Sequence, residues 1–333
     1  MGSSERHGGS ESEARWCAVT GGRGFMARHL VAALLRSGEW RVRVTDLAST
    51  VVLGPGEMEG LLGDALRDGR AVYASVDVCN LEQLTKAFEG VDVVFHTAAA
   101  DPSKNDLQLH HKVNVEGTKN VIDACRICKV KRLIHTSSCC VVFDGIHGLF
   151  DVNESLPYPD KFSDAYAQTK AEAEKLVIKA NCTNGLLTCC LRPGAIFGLG
   201  DIVIPNLDRY AWMRRAYFIT NMEPMNMWDF LDTVQEELGY KRMSKIRIPT
   251  IIIKPASYLI DWAYRVVFSH FGISQPQVLT PTRIRYITLN RTYSCNKAVE
   301  ELGYKPIVTL QDGLKKAVKL YIQLRNKDFS KKE

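Results

Sequence analysis

No apolar stretch occurs in the first fourteen residues, Met1 to Ala14, which are rich in Gly, Ser and Glu. A secretory signal needs such a stretch, so residues 1–14 are expected to be a disordered leader. Arg6 stands where the N-myristoylation pattern needs Ser or Thr, which excludes that anchor. Without a secretory route, the sequons at Asn181 and Asn290 carry no meaning. Long Lys/Arg runs are missing from the first three hundred residues, and the net charge is only +6, so no nucleic-acid partner is expected. The positive surplus gathers late, in Lys315, Lys316, Lys319, Arg325, Lys327, Lys331 and Lys332, and reads as a solvated helix face. There are ten cysteines, yet Cys125-x-x-Cys128 has no second Cys-x-x-Cys or His pair to complete a zinc site, and no metal is expected. Cys139-Cys140 and Cys189-Cys190 are expected inside strands, as reduced thiols of a cytosol-facing protein.

A chain of 333 residues with ordinary composition is expected to form one or two globular domains. Its first strand candidate, Trp16 to Thr20, runs through a glycine turn into a helix with apolar spacing at Leu30, Val31, Leu34 and Leu35. Strand, glycine turn and helix can present backbone N–H groups to a pyrophosphate. Gly21, Gly22, Gly24, Phe25, Met26 and Ala27 are therefore the candidate dinucleotide contacts; an ordinary strand–helix turn is the alternative. The second strand, Arg41 to Asp46, ends in an acid about twenty residues beyond the glycines, where a carboxylate would bond the adenosine ribose. Asp46 would repel a 2′-phosphate and favours NAD over NADP, while Arg23 and Arg43 argue the other way.

Three more strands are expected at Ala71–Val76, Val91–His96 and Arg132–Thr136, separated by helical patterns. Asp77 and Val78 follow the first of these. Asp77 could accept a bond from an adenine amino group or could cap a helix. Ala98 and Ala99, after the next strand, are small enough to let a cofactor lie against the backbone. Asn114 is either a helix cap or a polar relay beneath the site. The alternation predicts an α/β fold, a doubly wound parallel sheet that binds ligands at the carboxyl ends of its strands.

Tyr166 and Lys170, four residues apart in Tyr166-Ala167-Gln168-Thr169-Lys170, would share one helix face. An ammonium near a phenol favours phenolate, and phenolate is a usable base. Ser138, preferred over Ser137 in Thr136-Ser137-Ser138, could orient a substrate hydroxyl beside them.

Together with Leu191-Arg192-Pro193-Gly194-Ala195-Ile196-Phe197-Gly198, these motifs resemble the extended short-chain dehydrogenase/reductases. The 3β-hydroxysteroid dehydrogenase branch is the nearer match, and within it the plant sterol-4α-carboxylate 3-dehydrogenases. The narrower match rests on Val130 to Ser138, Phe143-Asp144-Gly145-Ile146-His147-Gly148 and Asn153 to Pro159. The resemblance implies Rossmann-type binding of NAD and a sterol substrate. Tyr166 would be the base held near phenolate by Lys170, Ser138 would steady the 3β-hydroxyl, Lys170 would also bond the nicotinamide ribose, and Pro193 would lie near the carboxamide. It further implies a place in sterol biosynthesis on the cytoplasmic face of the endoplasmic reticulum membrane; without the family, the cytoplasm is the reading. Peripheral membrane association, a homodimer and a sterol C4-demethylation complex stay open as partners. Another extended reductase or sugar-nucleotide epimerase, and a non-catalytic NAD-binding isoform, are the competing functions.

The family pattern breaks after Gly198. Asp201 to Arg215 leads straight into Ala216-Tyr217-Phe218-Ile219, and roughly fifty residues of the family's substrate region are missing, far more than a typical connection. A splice variant or a gene-model gap would leave such a junction. The expected organisation is thus the leader, an NAD-binding domain over 15–200 and a shortened substrate region over 201–333. In that region Met227 to Leu238 should be a helix ending at Gly239. Pro255 should open another, with Tyr258, Leu259, Trp262, Ala263, Val266 and Val267 on one side and Ser257, Asp261 and Arg265 opposite. That helix packs in a core or lies in a membrane surface; its length and charges argue against spanning. The end, Ser330 to Glu333, lacks a dilysine retrieval spacing.

Overall fold

The computed structural model describes residues 15–53, 55–101, 106–194, 216–237, 249–266 and 288–329, with positions 196, 281 and 284. The leader, Asp201 to Arg215 of the junction, Gly239, Val267 and Ser330 to Glu333 lie outside the described residues, as does the side chain of Arg265.

Seven parallel strands form one sheet in the order β3-β2-β1-β4-β5-β7-β8. They are β1 (Arg15–Thr20), β2 (Trp40–Asp46), β3 (Ala71–Ser75), β4 (Val93–His96), β5 (Arg132–Thr136), β7 (Leu187–Pro193) and β8 (Ala216–Ile219). The central strands are apolar on both faces, as burial under two helical layers requires. Cys17, Val19, Phe95 and Ile134 pack into one layer with α1 (Phe25–Ser37) and α3 (Leu61–Arg67), which the short α2 (Pro55–Met58) precedes. Ala18, Val94 and Leu133 pack into the other, under α4 (Leu81–Phe88), α6 (Gly117–Ile127) and α7 (Ala165–Ala180). The expected doubly wound α/β architecture is the one observed. Its order reverses beside β1 and β4, so the crevice at their carboxyl ends is where a ligand belongs.

Several local expectations change. Cys139 and Cys140 lie in a short 3-10 helix, Cys139–Val142, because Ser138 caps the turn by accepting from the Cys140 N–H; Cys189 and Cys190 do lie in β7. Between α5 (Leu107–His110) and α6 the chain winds as a π-helical turn, His111–Glu116, so Asn114 is interior to the helical stretch and caps nothing. Pro255 falls inside the helix Thr250–Val266 instead of opening it. The helix starts upstream, where the Pro249 carbonyl accepts from Ile252 and Ile253. A proline at 255 has no N–H to give the carbonyl four residues earlier, at Ile251, whose side chain is 81% exposed.

That helix does not pack its apolar side into a core. Ile251, Ile252, Tyr258, Leu259, Trp262 and Val266 are all exposed, whereas Ser257 is buried. Lys315, Lys316 and Lys319 are exposed on the helix Leu310–Phe329, as a solvated face should be. No helix among the described residues is long and apolar enough to cross a membrane. A second, two-stranded sheet pairs β6 (Leu149–Val152) with β9 (Arg291–Tyr293).

One buried ion pair ties these parts together. Arg192 of β7 donates from Nη2 to Glu174 Oε1 at 2.6 Å and from Nε to both carboxylate oxygens at 3.1 Å. The Glu174 side chain is fully buried, and the Tyr158 hydroxyl donates to it at 2.6 Å. Against the desolvation of burial, Glu174 holds the guanidinium pKa above its ordinary value. Removing one partner of such a pair strands the other charge. Glu174→Ala is expected to lose roughly 3–5 kcal/mol of stability in denaturant unfolding. A change below about 1 kcal/mol would show that the pair is not structural.

Candidate active site

The glycine turn closes by steric necessity. Gly21 has φ +63°, and a Cβ there would come within 2.8 Å of the Ala98 Cα. A Cβ on Gly22 would come within 2.6 Å of Val44 Cγ1. Gly24 donates to the Gly21 carbonyl at 2.9 Å and then starts α1 in extended conformation, with no side-chain cap. The first-turn N–H groups, at Phe25, Met26 and Ala27, are thus open to an anion at the positive end of the helix. A cradle this closely passed by backbone fits the pyrophosphate of a dinucleotide.

Ala98 is held against Gly21 by a network whose proton directions can be worked out. Thr118 gives its hydroxyl proton to the Asn114 carbonyl at 2.5 Å, so toward His96 Nε2, 2.9 Å away, it can only accept. His96 Nδ1 is then the acceptor from the Thr20 hydroxyl at 2.7 Å. The Thr20 oxygen in turn accepts from the N–H groups of Thr97 and Ala98, at 3.2 and 3.3 Å. His96 must be neutral for this. Burial first, and the Lys170 charge second, push its pKa down to about 3.

Asp46 accepts from the Arg23 N–H at 2.9 Å and the Leu47 N–H at 2.8 Å. The Arg23 guanidinium is ion-paired to Glu57 at 2.8 Å and donates to the Val52 carbonyl. Arg43 donates to the carbonyls of Ala87 and Glu89 and stacks over Trp16. Asp77 does not cap α4; that is Asn80, while Asp77 Oδ1 accepts from Cys79 N–H. Val78 is buried against Gly117, and Ala99 is exposed at the crevice.

Asn114 joins two walls of the site. Its Oδ1 accepts from the Ala100 N–H at 2.9 Å, and its Nδ2 donates to Thr169 Oγ1 at 3.1 Å. The same Nδ2 lies 3.3 Å from His110 Nδ1, and the His110 ring sits edge-on to Tyr166 at 5.9 Å. The loop after β4 is thereby fixed to α7, one residue before Lys170. His96 and His110 were not among the sequence candidates. The available signals were the position of His96 at the end of a strand and of His110 one turn before Asn114.

The Asp164 carboxylate caps α7 by accepting from the Ala167 N–H at 2.8 Å, which starts the helix just before Tyr166. Ser138 follows β5, and its Oγ accepts from the Cys140 N–H at 3.3 Å and the Cys140 thiol at 3.0 Å. Ser137 is buried on the other side, its hydroxyl without a partner among the described residues. Lys170 is buried and donates to the Thr136 carbonyl at 2.5 Å. The electrostatics differ from the expectation of a phenol ionised by its neighbouring ammonium. Burial pushes the Tyr166 pKa well up, Cys140 adds to that push, and Ser138 opposes it. Burial also depresses Lys170, to about 8. In a closed, dry site desolvation outweighs the attraction of the pair. Pro193 ends β7, followed by a Gly194 N–H that donates to the Ile219 carbonyl at 3.0 Å.

The arrangement is a dinucleotide cradle with a Ser, Tyr and Lys set at the same carboxyl edge of the sheet. Residues 18–215 match the model of the 3-beta hydroxysteroid dehydrogenase/isomerase family. The chain belongs to that family. It is 44% identical over 364 residues to 3beta-hydroxysteroid-dehydrogenase/decarboxylase isoform 1 of Arabidopsis thaliana, an alignment covering 96% of this chain and 82% of the relative. With isoform 2 of that plant the identity is 43%, over 96% of this chain and 64% of the relative. With the mouse sterol-4-alpha-carboxylate 3-dehydrogenase, decarboxylating, it is 31%, over 94% and 93%. An alignment of 364 positions that uses 96% of 333 residues leaves about 44 positions of the first relative without a counterpart here. Among solved structures, a dTDP-glucose 4,6-dehydratase from Streptomyces venezuelae with NAD bound superposes with TM-score 0.67 at 19% identity, covering 93% and 98% of the two chains. A UDP-galactose 4-epimerase gives 0.63 at 20%, covering 93% and 99%. At these identities the likeness is one of fold.

A buried lysine with a depressed pKa works against the fold of this family member below that pKa. From pH 8 to 10.5 the unfolded chain binds more protons at this position than the folded one, so the penalty fades as pH rises. Lys170→Met should therefore be more stable than wild type at pH 7, by on the order of 2–3 kcal/mol. The difference should shrink by pH 10; a pH-independent difference would contradict the assignment.

Proposed function

We propose that the protein oxidises the 3β-hydroxyl of a 4α-carboxysterol with NAD and releases the C4 carboxyl group as carbon dioxide. The observation that carries this reading is Tyr166 one helical turn from Lys170 on α7, with Ser138 after β5 and the Gly21–Ala98 cradle at the same carboxyl edge of the sheet, in a chain whose relatives are named for that oxidation. Gly21, Gly22 and Gly24, with the N–H groups of Phe25, Met26 and Ala27, would hold the pyrophosphate. Asp46 would hold the adenosine ribose, Asp77 and Val78 would border the adenine, and Ala98 and Ala99 would lie along the cofactor. Lys170 would bond the nicotinamide ribose, with Pro193 near the carboxamide. NAD rather than NADP is supported because the Arg23 and Arg43 guanidinium groups are committed to Glu57 and to the carbonyls of Ala87 and Glu89.

When bound, NAD supplies the hydride acceptor. Tyr166 takes the hydroxyl proton of the substrate, and Ser138 orients that hydroxyl. The hydride leaves C3, and the C3–O bond becomes a ketone β to the carboxylate. The electrons of the C4–carboxyl bond then move toward that ketone as carbon dioxide departs, and a proton from the site completes the product.

We assign the missing positions of the alignment to the connection over 201–215, which leaves the cofactor half over 15–200 entire and shortens the substrate region over 201–333. The outward apolar face of the helix Thr250–Val266 supports seating at a lipid surface, as an enzyme of lipid substrates on the cytoplasmic face of the endoplasmic reticulum would need.

Purified protein given NAD and a 4α-carboxysterol should form NADH and carbon dioxide in equal amounts. Tyr166→Phe should lower kcat by at least a thousandfold, a loss on the scale of a missing catalytic group, and keep NAD binding within about twofold. Neither product from wild type, with NAD still raising Tm, would select the non-catalytic isoform. Activity on sugar nucleotides alone would select the epimerase reading. In flotation with phosphatidylcholine–phosphatidylserine vesicles the protein should rise with the lipid, and Leu259→Glu with Trp262→Glu should keep it in solution. Wild type left at the bottom of the gradient would remove the membrane assignment.

A further inference from the structure

We propose that Glu57 sets the cofactor preference of this site, by holding the two arginines beside the cradle that would otherwise receive a 2′-phosphate. The inference rests on the functional reading above and deepens it, since it names the residue that separates NAD from NADP. In dinucleotide sites of this architecture an acid past the glycines takes the ribose hydroxyls, and an arginine near it takes the 2′-phosphate. Both are present here. Asp46 ends β2, and Arg23 stands in the glycine turn with its N–H on the Asp46 carboxylate at 2.9 Å. An arginine so placed ordinarily argues for NADP.

The Arg23 side chain is turned to another use. Its Nη2 donates to Glu57 Oε2 at 2.8 Å and its Nη1 to Glu57 Oε1 at 3.2 Å, a fork that matches both carboxylate oxygens. Nη2 also donates to the Val52 carbonyl at 3.0 Å. A second cation, Arg28 of α1, lies 3.9 Å from the same carboxylate. The Arg23 and Glu57 side chains are 16% and 28% exposed, so water screens their attraction only in part. A phosphate arriving at Asp46 must compete with Glu57 for Arg23, and meets two carboxylates while doing so. The fold keeps Glu57 in place. Its carbonyl accepts from the Gly60 N–H at 3.3 Å, and a Cβ on Gly63 of α3 would come within 2.8 Å of that carbonyl oxygen. The Arg67 guanidinium donates to the next carbonyl, that of Met58, at 3.0 Å. The carboxylate is thus delivered to Arg23 by a backbone fixed against α3.

The test is titration calorimetry of the full chain with NAD and with NADP, which needs no sterol turnover. Wild type should bind NAD more tightly than NADP. Glu57→Gln removes the charge and keeps the shape. It should lower the Kd for NADP about tenfold, the scale of one hydrogen bond to a charged group, and leave the Kd for NAD within about twofold. Adding Arg23→Met to Glu57→Gln should remove most of that gain. Glu57→Ala carries the same expectation as Glu57→Gln and replaces it if the glutamine variant does not fold. An unchanged Kd for NADP, a gain kept in full by the double variant, or equal losses for both dinucleotides would overturn the proposal. So would a wild type that binds NADP as tightly as NAD. Each of these results leaves the dinucleotide reading standing. A wild type that binds neither dinucleotide removes that reading, and the role of Glu57 with it.

Discussion

Glu174 sits two turns beyond Tyr166 on α7, fully buried, with its charge committed to Arg192 of β7. The rest of the site depends on this contact. A helix packed on a sheet by aliphatic contacts alone can slide or rotate by small amounts with little change in buried area. A carboxylate bonded at both oxygens cannot move without stranding a charge in a medium that does not solvate it. The same pair reaches outward. Tyr158 donates to the carboxylate, Arg192 stacks over Phe218 of β8, and Phe218 stacks on Tyr293 of the second sheet. One ion pair thus ties together α7, the edge strand β8 and the second sheet.

Within that frame the electrostatic character of the reacting groups is set by dryness more than by their mutual attraction. Lys170 gives a proton to the Thr136 carbonyl, and its charge falls on the neutral histidines His96 and His135, whose rings lie 5.1 Å apart. Burial and then Lys170 hold the pKa of each of these histidines far below the ordinary value. The row Thr20, His96, His135 and Cys190 runs across neighbouring strands in register, one polar layer beneath the crevice. It carries dipoles rather than charges, so it can orient groups without competing for the proton that the reaction must move.

Much of this was legible in the chain itself. The glycine turn, Asp46 at the end of β2 and the apolar strands are local patterns with few conformational solutions, and the sheet follows from their alternation. The spacing of Tyr166 and Lys170 also survives translation into three dimensions, because a helix turns spacing into direction. What could not be read were the partners supplied by distant segments. Pro255 fits a helix start, where a missing N–H is harmless, yet it lies one turn inside a helix whose Ile251 and Ile252 are exposed. Cys139-Cys140 reads as strand because a short apolar run does not reveal that Ser138 caps a turn. The commitments of Arg23 and Arg43 depend on Glu57, Ala87 and Glu89, which no sequence pattern brings near them.

The join between β7 and β8 has one more implication. Pro193 and Ile219 close the register of two parallel strands, although the chain between them runs only over residues 194–215. A parallel crossover needs little more than a dozen residues to return to the starting edge. Everything beyond that minimum is free of the sheet's geometry. Gains or losses of chain at this one connection can therefore be absorbed while the seven strands, and the glycine cradle at their ends, keep their positions.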